Sequence, residues 1–341
     1  MIQKILSIAQ SRKAADVHIV AGAPVVMRIG DDLTPVSKEE LSRAQAKELS
    51  YALLTDDQIV EFEEKLDLDF MYADDSRCRY RVNISYNDGA VGAVIRLLAA
   101  EPFRLDDLKM PPVVSRLAYL QKGLLLITGS TSQGKTTTMA AMIDAINTHH
   151  RRAIVTIEDP IEYVHVNKQS IVRQREVGKD TMTFASGLRA ALRQDPDVIA
   201  IGEMRDYETI KIALTAAETG VFVLSTLHII SIDKIIERLL SYAPEGGDGH
   251  IRDLLANALM GVIHQELLPT VDGGKRVATE ILIVSDAARN VIRNRSTFHL
   301  RNVITTGARY GMQTMKQSLD ALLDEGVIGR DSYESVLASY R

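Results

Sequence analysis

The residues best able to do chemistry in this chain are Gly129-Ser130-Thr131-Ser132-Gln133-Gly134-Lys135-Thr136, followed by Thr137. The first eight fit G-x-x-x-x-G-K-[ST]. A loop of this kind points successive backbone N–H groups inward. A helix starting at its end adds a partial positive charge, so phosphate oxygens are held there. Lys135 is placed to reach the β- and γ-phosphates of ATP, and the Thr136 hydroxyl to meet Mg²⁺.

Hydrolysis also needs a carboxylate to orient the attacking water, and a ligand shell for the metal. Asp197-Val198-Ile199-Ala200-Ile201-Gly202-Glu203 is an apolar strand ending in an acid, like a Walker B element, with Gly202 where many P-loop enzymes carry Asp. Glu203 is expected to position the water and, with Thr136 and Glu158, to serve Mg²⁺. Glu158, Asp159 and Glu162 lie within five positions after another apolar run. Like charges this close are costly unless a cation or donors sit between them. They read as Mg²⁺-shell and water-positioning groups. His228, ending Thr226-Leu227-His228, reads as a γ-phosphate-sensing or inter-domain group. Arg79, Arg81 and Arg96 lie on earlier strands; the first two are two apart and share a face. Oligomeric ATPases commonly receive a cation from a neighbouring subunit, and at least one of these three is expected to act so.

The elements needed to position these groups are legible. Leu124-Leu125-Leu126-Ile127 has the length of a buried strand, and Met139, Met142, Ile143 and Ile146 recur at helical spacing behind the loop. Apolar runs at 124–127, 153–157, 198–201 and 221–226 alternate with helical stretches, the signature of a parallel sheet buried on both faces. Beyond 240 the pattern is mostly helical, with a two-strand element at His264 to Pro269 and Arg276 to Val284. Residues 1–100 read as a smaller α+β domain. It opens with an amphipathic helix from Ile2 to Ala9, then a hairpin punctuated by Gly30-Asp31-Asp32. A capping box at Ser37 to Glu40 should start a helix to about Leu53, and Thr55 to Gln58 a second. Strands are expected at Leu68 to Phe70, Cys78 to Ser85 and Gly89 to Leu98. Residues 101–120, with Glu101-Pro102 and Pro111-Pro112, read as a linker and lead-in helix to an ATPase domain over 121–341.

At 341 residues the chain is long enough for two domains, and 46% hydrophobic with 25% charged residues is an ordinary globular composition. A net charge of −5 supplies no basic field for nucleic acid or anionic lipid. The single cysteine, Cys78, excludes a disulfide framework within the chain and a multi-cysteine zinc site. The start is too polar for a signal peptide, and no apolar run reaches the ~18 residues of a membrane span. A cytoplasmic protein without membrane insertion is expected.

In order, GSTSQGKTTT, TIEDPIEY, GLRAALRQDPDVIAIGEMRD, TAAETG, STLH and AARNVIR resemble the motifs of the type IV pilus retraction ATPases, the PilT family of twitching-motility proteins. These belong to the secretion-ATPase superfamily of P-loop motors. AADVHIVAGAPVVMRI, RYRVNISYNDGAVGAVIRLL and GMQTMKQSL extend the resemblance over essentially the whole chain. It implies an α/β fold: a RecA-like domain with a parallel-rich sheet, preceded by a PAS-like domain, in a homohexameric ring binding ATP and Mg²⁺ between domains. It implies a catalytic Glu203, an Asp box of Glu158, Asp159 and Glu162, a His box at His228, and a retraction motif at Ala287, Arg289 and Asn290. The implied partners are an inner-membrane platform protein at the pilus base and a paralogous retraction ATPase. A pilus-assembly or type II secretion ATPase is the nearest alternative, and a weakly active accessory subunit of a mixed ring the next. Ser132-Gln133 replaces the family's Gly-Ser, Val221 the His of its TGH, and Ile229-Ile230 the Thr-Asn after His228. Apolar residues beside His228 remove hydrogen-bond partners, so weaker coupling between phosphate and ring conformation is expected.

Overall fold

The structure is a computed structural model that describes residues 1–30, 32–74, 78–98 and 102–340. Asp31, expected in the first hairpin turn, and Glu101, expected in the linker, lie outside the described residues. The chain divides into two compact units, Met1–Glu101 and Pro102–Arg341.

The first unit opens with α1 (Ile2–Ser11), which buries Ile2, Leu6 and Ala9 on one stripe. There follow β1 (Asp16–Ile19), β2 (Val26–Ile29), β3 (Asp32–Pro35), α2 (Arg43–Tyr51), α3 (Asp56–Lys65), β4 (Asp67–Ala73), β5 (Arg79–Asn87) and β6 (Ala90–Leu97). The strands form one antiparallel sheet, β3-β2-β1-β6-β5-β4. The capping box of α2 stands at Ser42 and Gln45, not at Ser37. The Ser37 hydroxyl is spent in the preceding loop, accepting from Val25 N and donating to the Glu39 carbonyl. The box at Thr55 and Gln58 forms as expected and starts α3.

In the second unit, residues 102–120, read as linker and lead-in helix, fold with the ATPase core. Leu105 and, from α4 (Pro112–Ala118), Val113, Val114, Leu117 and Ala118 are buried against the central sheet. Then come β7 (Gly123–Thr128), α5 (Lys135–His149), β8 (Ala153–Glu158), β9 (Ile171–Glu176), α6 (Phe184–Ala191), β10 (Val198–Ile201), α7 (Tyr207–Glu218) and β11 (Phe222–Leu227). After these are α8 (Ile232–Leu240), α9 (Asp248–Ala258), β12 (Leu259–Pro269), β13 (Lys275–Ile283), α10 (Asp286–Arg293), α11 (Leu300–Thr306), α12 (Met315–Asp324) and α13 (Arg330–Ala338). The sheet runs β13-β12-β7-β11-β10-β8-β9 and is parallel except for β13.

The four apolar runs become β7, β8, β10 and β11, the inner strands other than β12, packed by apolar clusters on both faces. β9 carries no such run: its sequence IVRQRE turns wholly polar after two residues, which an edge strand tolerates. β12 begins five residues before the expected His264, at Leu259. Its apolar start continues directly from the buried face of α9, and an unbroken apolar stretch does not reveal where helix gives way to strand. Among the described residues, no helix is long and apolar enough to cross a membrane.

Candidate functional site

The P-loop leaves β7 at Thr128 and enters α5 at Lys135. Gly129 has φ +147°, and a Cβ there would lie 2.5 Å from the Gln265 carbonyl oxygen of β12, so only glycine lets the two strands close. Gly134 is left-handed and caps α5, leaving the first N–H groups of that helix free for an anion. Ser132 has φ +64°. The glycine of the family's pattern therefore has a conformational reason, and serine in this position costs about 1 kcal/mol. The Gln133 side chain turns away from the loop's interior. Its carbonyl oxygen accepts from Leu267 N, and its backbone oxygen accepts from Gln265 Nε2 at 2.6 Å. Gln133 thus ties the loop to β12, and only its backbone remains to serve phosphate.

Lys135 is buried. Its ammonium donates to the carbonyls of Gly129 (2.9 Å) and Ser130 (2.5 Å) and to His228 Nδ1 (3.3 Å). Burial lowers its proton affinity, and the carboxylates of Glu203, Glu266 and Glu162 oppose that. Because the ammonium can only donate, His228 Nδ1 is an acceptor and the ring proton sits on Nε2. Nε2 in turn lies 3.4 Å from Glu203 Oε2. Burial, and then the Lys135 charge, lower the His228 pKa below the ordinary range, against the pull of Glu203. The other Glu203 oxygen pairs with Arg205. Lys135, His228, Glu203 and Arg205 therefore form one chain of contacts across the carboxyl ends of β7, β11 and β10, where ligands sit in open α/β sheets.

A Cβ at Gly202 would lie 3.4 Å from Glu158 Cα and from the Ile157 carbonyl oxygen, an ordinary contact distance, and the Gly202 carbonyl accepts from the Thr226 hydroxyl at 2.6 Å. Nothing in the structure explains glycine in place of an acid here; the acid at this strand end is Glu203.

The acidic trio does not gather as a metal shell. Glu158 Oε1 accepts from the Thr156 hydroxyl (2.6 Å) and Gln174 Nε2 (3.1 Å), so this acid is turned into the sheet. Asp159 is exposed, and Glu162 acts on Lys135. The three diverge: Glu158 meets donors within the sheet, Asp159 faces solvent, and Glu162 acts on Lys135. Among the described residues, no three His, Cys, Asp or Glu side chains converge as metal ligands. What remains fits Mg²⁺ held by the half-buried Thr136 and by phosphate oxygens and water, its usual mode beside a nucleotide.

Two of the substituted positions act differently from expectation. Val221 precedes β11 at its amino end, where its N–H donates to Ala216 and its carbonyl accepts from Gly123 N. His228 lies beyond the other end, roughly 20 Å away along the extended chain. Ile229 is buried in the core beside Ile232, and Ile230 is exposed. The His228 ring nitrogens already have Lys135 and Glu203, so its orientation needs no help from residues 229 and 230. Ile229→Thr is accordingly expected to destabilise the protein by about 2 kcal/mol, from lost apolar burial and a buried hydroxyl. Val221→His is expected to leave ATP turnover unchanged. Urea unfolding of the first and steady-state turnover of the second check this; a faster enzyme from either would restore the His-box explanation.

Gln174 carried no sequence signal, and Tyr163, the end of TIEDPIEY, was given no role. The Tyr163 hydroxyl lies 2.9 Å from the Thr137 hydroxyl and anchors the acidic loop to α5, while Gln174 Nε2 donates to the Tyr163 carbonyl at 2.8 Å. Beside Gly134, Thr137 and Thr138 opens a cavity of about 630 Å³, lined by Phe103, Leu267 and Val277 among others.

In the first unit Arg81 and Arg96 are register partners on adjacent strands, and Arg79 shares their face. Arg96 Nε donates to the buried Asp16 at 2.8 Å, and Arg81 lies 4.0 Å from Asp69. In α10, Ala287 and Asn290 are exposed. Arg289 instead donates to the carbonyls of Ala256 (2.7 Å) and Asn257 (3.0 Å), closing the carboxyl end of α9.

The family described as Type II/IV secretion system protein matches residues 1–326. The Type IV pilus retractation ATPase PilT of Pseudomonas aeruginosa is 40% identical over 331 residues, covering 97% of this chain and 96% of its own. The Type IV pilus ATPase PilU of the same organism is 36% identical over 337 residues, covering 98% and 87%. A crystal structure of the pilus retraction motor PilT with bound ADP superposes with a TM-score of 0.90 at 39% identity, covering 98% of this chain and 96% of that one. Likeness of this extent, in sequence and in fold, leaves no part of the site outside the match: the chain belongs to the Type II/IV secretion system proteins and is a P-loop ATPase.

Proposed function

We propose that this ATPase powers retraction of a type IV pilus. The observation that carries the reading is the similarity to a retraction ATPase along nearly the full length of both chains. In this reading ATP enters with its phosphates on the P-loop and its nucleoside toward the cavity beside Gly134 and Thr137. Lys135 turns from the Gly129 and Ser130 carbonyls to the β- and γ-phosphates. Glu203 orients water against the γ-phosphate, and His228, freed from the Lys135 charge, takes up a proton on Nδ1 and donates it to a phosphate oxygen. Mg²⁺ held by Thr136, with Glu203 behind its waters, would neutralise the developing charge, whereas Glu158 stays bonded into the sheet. Binding closes the two domains, 1–100 and 121–341, on each other, and hydrolysis reopens them.

Six copies form a ring at the cytoplasmic face of the inner membrane. One of Arg79, Arg81 and Arg96 completes the neighbour's site, and the exposed Ala287 and Asn290 face a platform protein at the pilus base. A paralogous retraction ATPase is a natural partner, since PilU stands beside PilT in Pseudomonas aeruginosa.

The test is made in the host. Cells carrying Glu203→Gln in place of the native chain should display surface pili that do not retract. Absence of pili would instead assign the chain to assembly, and normal retraction would leave it an accessory. Light scattering with an ATP analogue and Mg²⁺ should report about six chains per particle; a monomer turning over ATP at full rate would remove both ring and trans arginine.

A further inference from the structure

β12 carries an acid, Glu266, that the proposed reaction does not use. It lies between Gln265 and Leu267, both bonded to Gln133, which is two residues before Lys135. The acid is held by a residue remote in sequence. The Tyr340 hydroxyl donates to Glu266 Oε1 at 3.1 Å and lies 2.5 Å from His264 Nε2, while His264 Nδ1 lies 3.0 Å from the Thr128 hydroxyl. With Glu266 ionised, one assignment of protons satisfies every contact: Thr128 donates to Nδ1, Nε2–H donates to Tyr340, and Tyr340 donates to Glu266. Burial, with Lys135 adding to it, pushes the His264 pKa down to about 4, so the ring is neutral and the sequence of donors holds at ordinary pH. Arg301 of α11 fixes the far end by donating to the Tyr340 carbonyl at 3.0 Å. Four elements thus converge to keep one carboxylate on the flank of the P-loop. It acts on the Lys135 charge, and Lys135 acts on it.

We propose that Glu266 is a positioning anion for Lys135: held by Tyr340, it competes with the phosphates of a nucleotide for the ammonium and thereby hastens release of ADP. The inference rests on the P-loop being the nucleotide site. A carboxylate beside a polyphosphate site weakens binding by like-charge repulsion. A motor that must empty each site in turn benefits from that.

The groups facing Glu266 are His264 on its own strand, Lys135 from α5 and Tyr340 after α13. Glu280 of β13 acts on Tyr340, and Arg301 and Asp233 act on Glu280. Burial raises the Glu266 pKa, while the Tyr340 hydrogen bond and Lys135 lower it. Removing the tyrosine hydroxyl therefore lets Glu266 take up its proton at higher pH, which lifts the repulsion sooner as pH falls.

The experiment uses the full chain with ADP and MgCl₂. Glu266→Gln should bind ADP about three- to tenfold more tightly than the native protein by calorimetry, the scale of removing one partly screened charge. A fluorescent ADP should leave more slowly by a similar factor. Tyr340→Phe should tighten ADP binding more than the native chain does between about pH 8 and about pH 6, and should add nothing in a Glu266→Gln background. A merely structural part for these residues would loosen the loop and weaken binding. Unchanged or weaker ADP binding by folded Glu266→Gln therefore overturns the proposal. So does an effect of Tyr340→Phe that is the same with and without Glu266. Melting curves establish that each variant is folded. Native ADP binding that survives Lys135→Ala would instead fail the P-loop reading.

Discussion

Replacing Glu203 by glutamine should leave a protein that binds ATP and hydrolyses it at least ~10²-fold more slowly, the scale of losing one positioned catalytic group. The reason lies in how this side chain is placed. It is 13% exposed, one oxygen faces His228 Nε2 and the other Arg205. Glutamine keeps the shape and can still accept from either neighbour. It cannot take a proton from water. Phosphate binding depends on the P-loop amides and Lys135, which the change leaves alone. Single-turnover hydrolysis together with equilibrium binding of ATP separates the two effects. Near-normal turnover would move water activation to Glu158, Asp159 or Glu162. Of these, Glu162 would be the first to consider, because Glu158 is already bonded into the sheet.

Lys135→Ala should fail in the opposite way, raising the dissociation constant for ADP and ATP by about 10²-fold, the worth of one or two charge-assisted hydrogen bonds to phosphate. The loss should exceed that of a surface lysine because this ammonium is buried and preorganised. In the resting protein it donates to the carbonyls of Gly129 and Ser130. Those two acceptors would be left without their partner. His228 would lose the donor that fixes its tautomer. Titration with a fluorescent nucleotide measures the affinity, and a thermal melt shows whether the loop change has spread to the fold. Retained affinity would mean that the phosphates do not sit on this loop.

The two variants together test whether binding and turnover reside in different side chains, as the geometry suggests. Lys135 contacts the loop and His228, and Glu203 contacts His228 and Arg205. His228 stands between them, so its substitution should disturb both measurements, each less than the residue on its own side.

How much of this could be read before folding follows from the range of each interaction. The P-loop was legible because its physics is local: glycines at 129 and 134, a lysine and a threonine, with an apolar run before and a helical period after. The inner strands β7, β8, β10 and β11 were legible for a related reason. Burial on both faces demands continuous apolar composition, and that demand is written along each strand by itself. Glu203 and His228 were found because each ends such a strand. The family likeness added the expectation of an oligomer and of a retraction motif, neither of which follows from periodicity.

The structure decided what depends on partners far apart in the chain. Ser37 and Ser42 both head a plausible helix start; only the hydrogen bond from Val25 N–H to the first hydroxyl settles which serine caps. Val221 and Ile229 looked like neighbours of one function, yet a strand's length separates the first from His228, and the core claims the second. Glu158, Asp159 and Glu162 are adjacent in sequence but point to different partners, because a strand end, solvent and a lysine pull them apart. The Tyr340–Glu266–His264 arrangement was invisible, since a tyrosine seventy-odd positions from its acid leaves no period and no motif. Local pattern determines which elements form and where a phosphate can bind. Which charges meet around that phosphate is set by tertiary contacts, whose energies depend on burial and distance rather than on order along the chain.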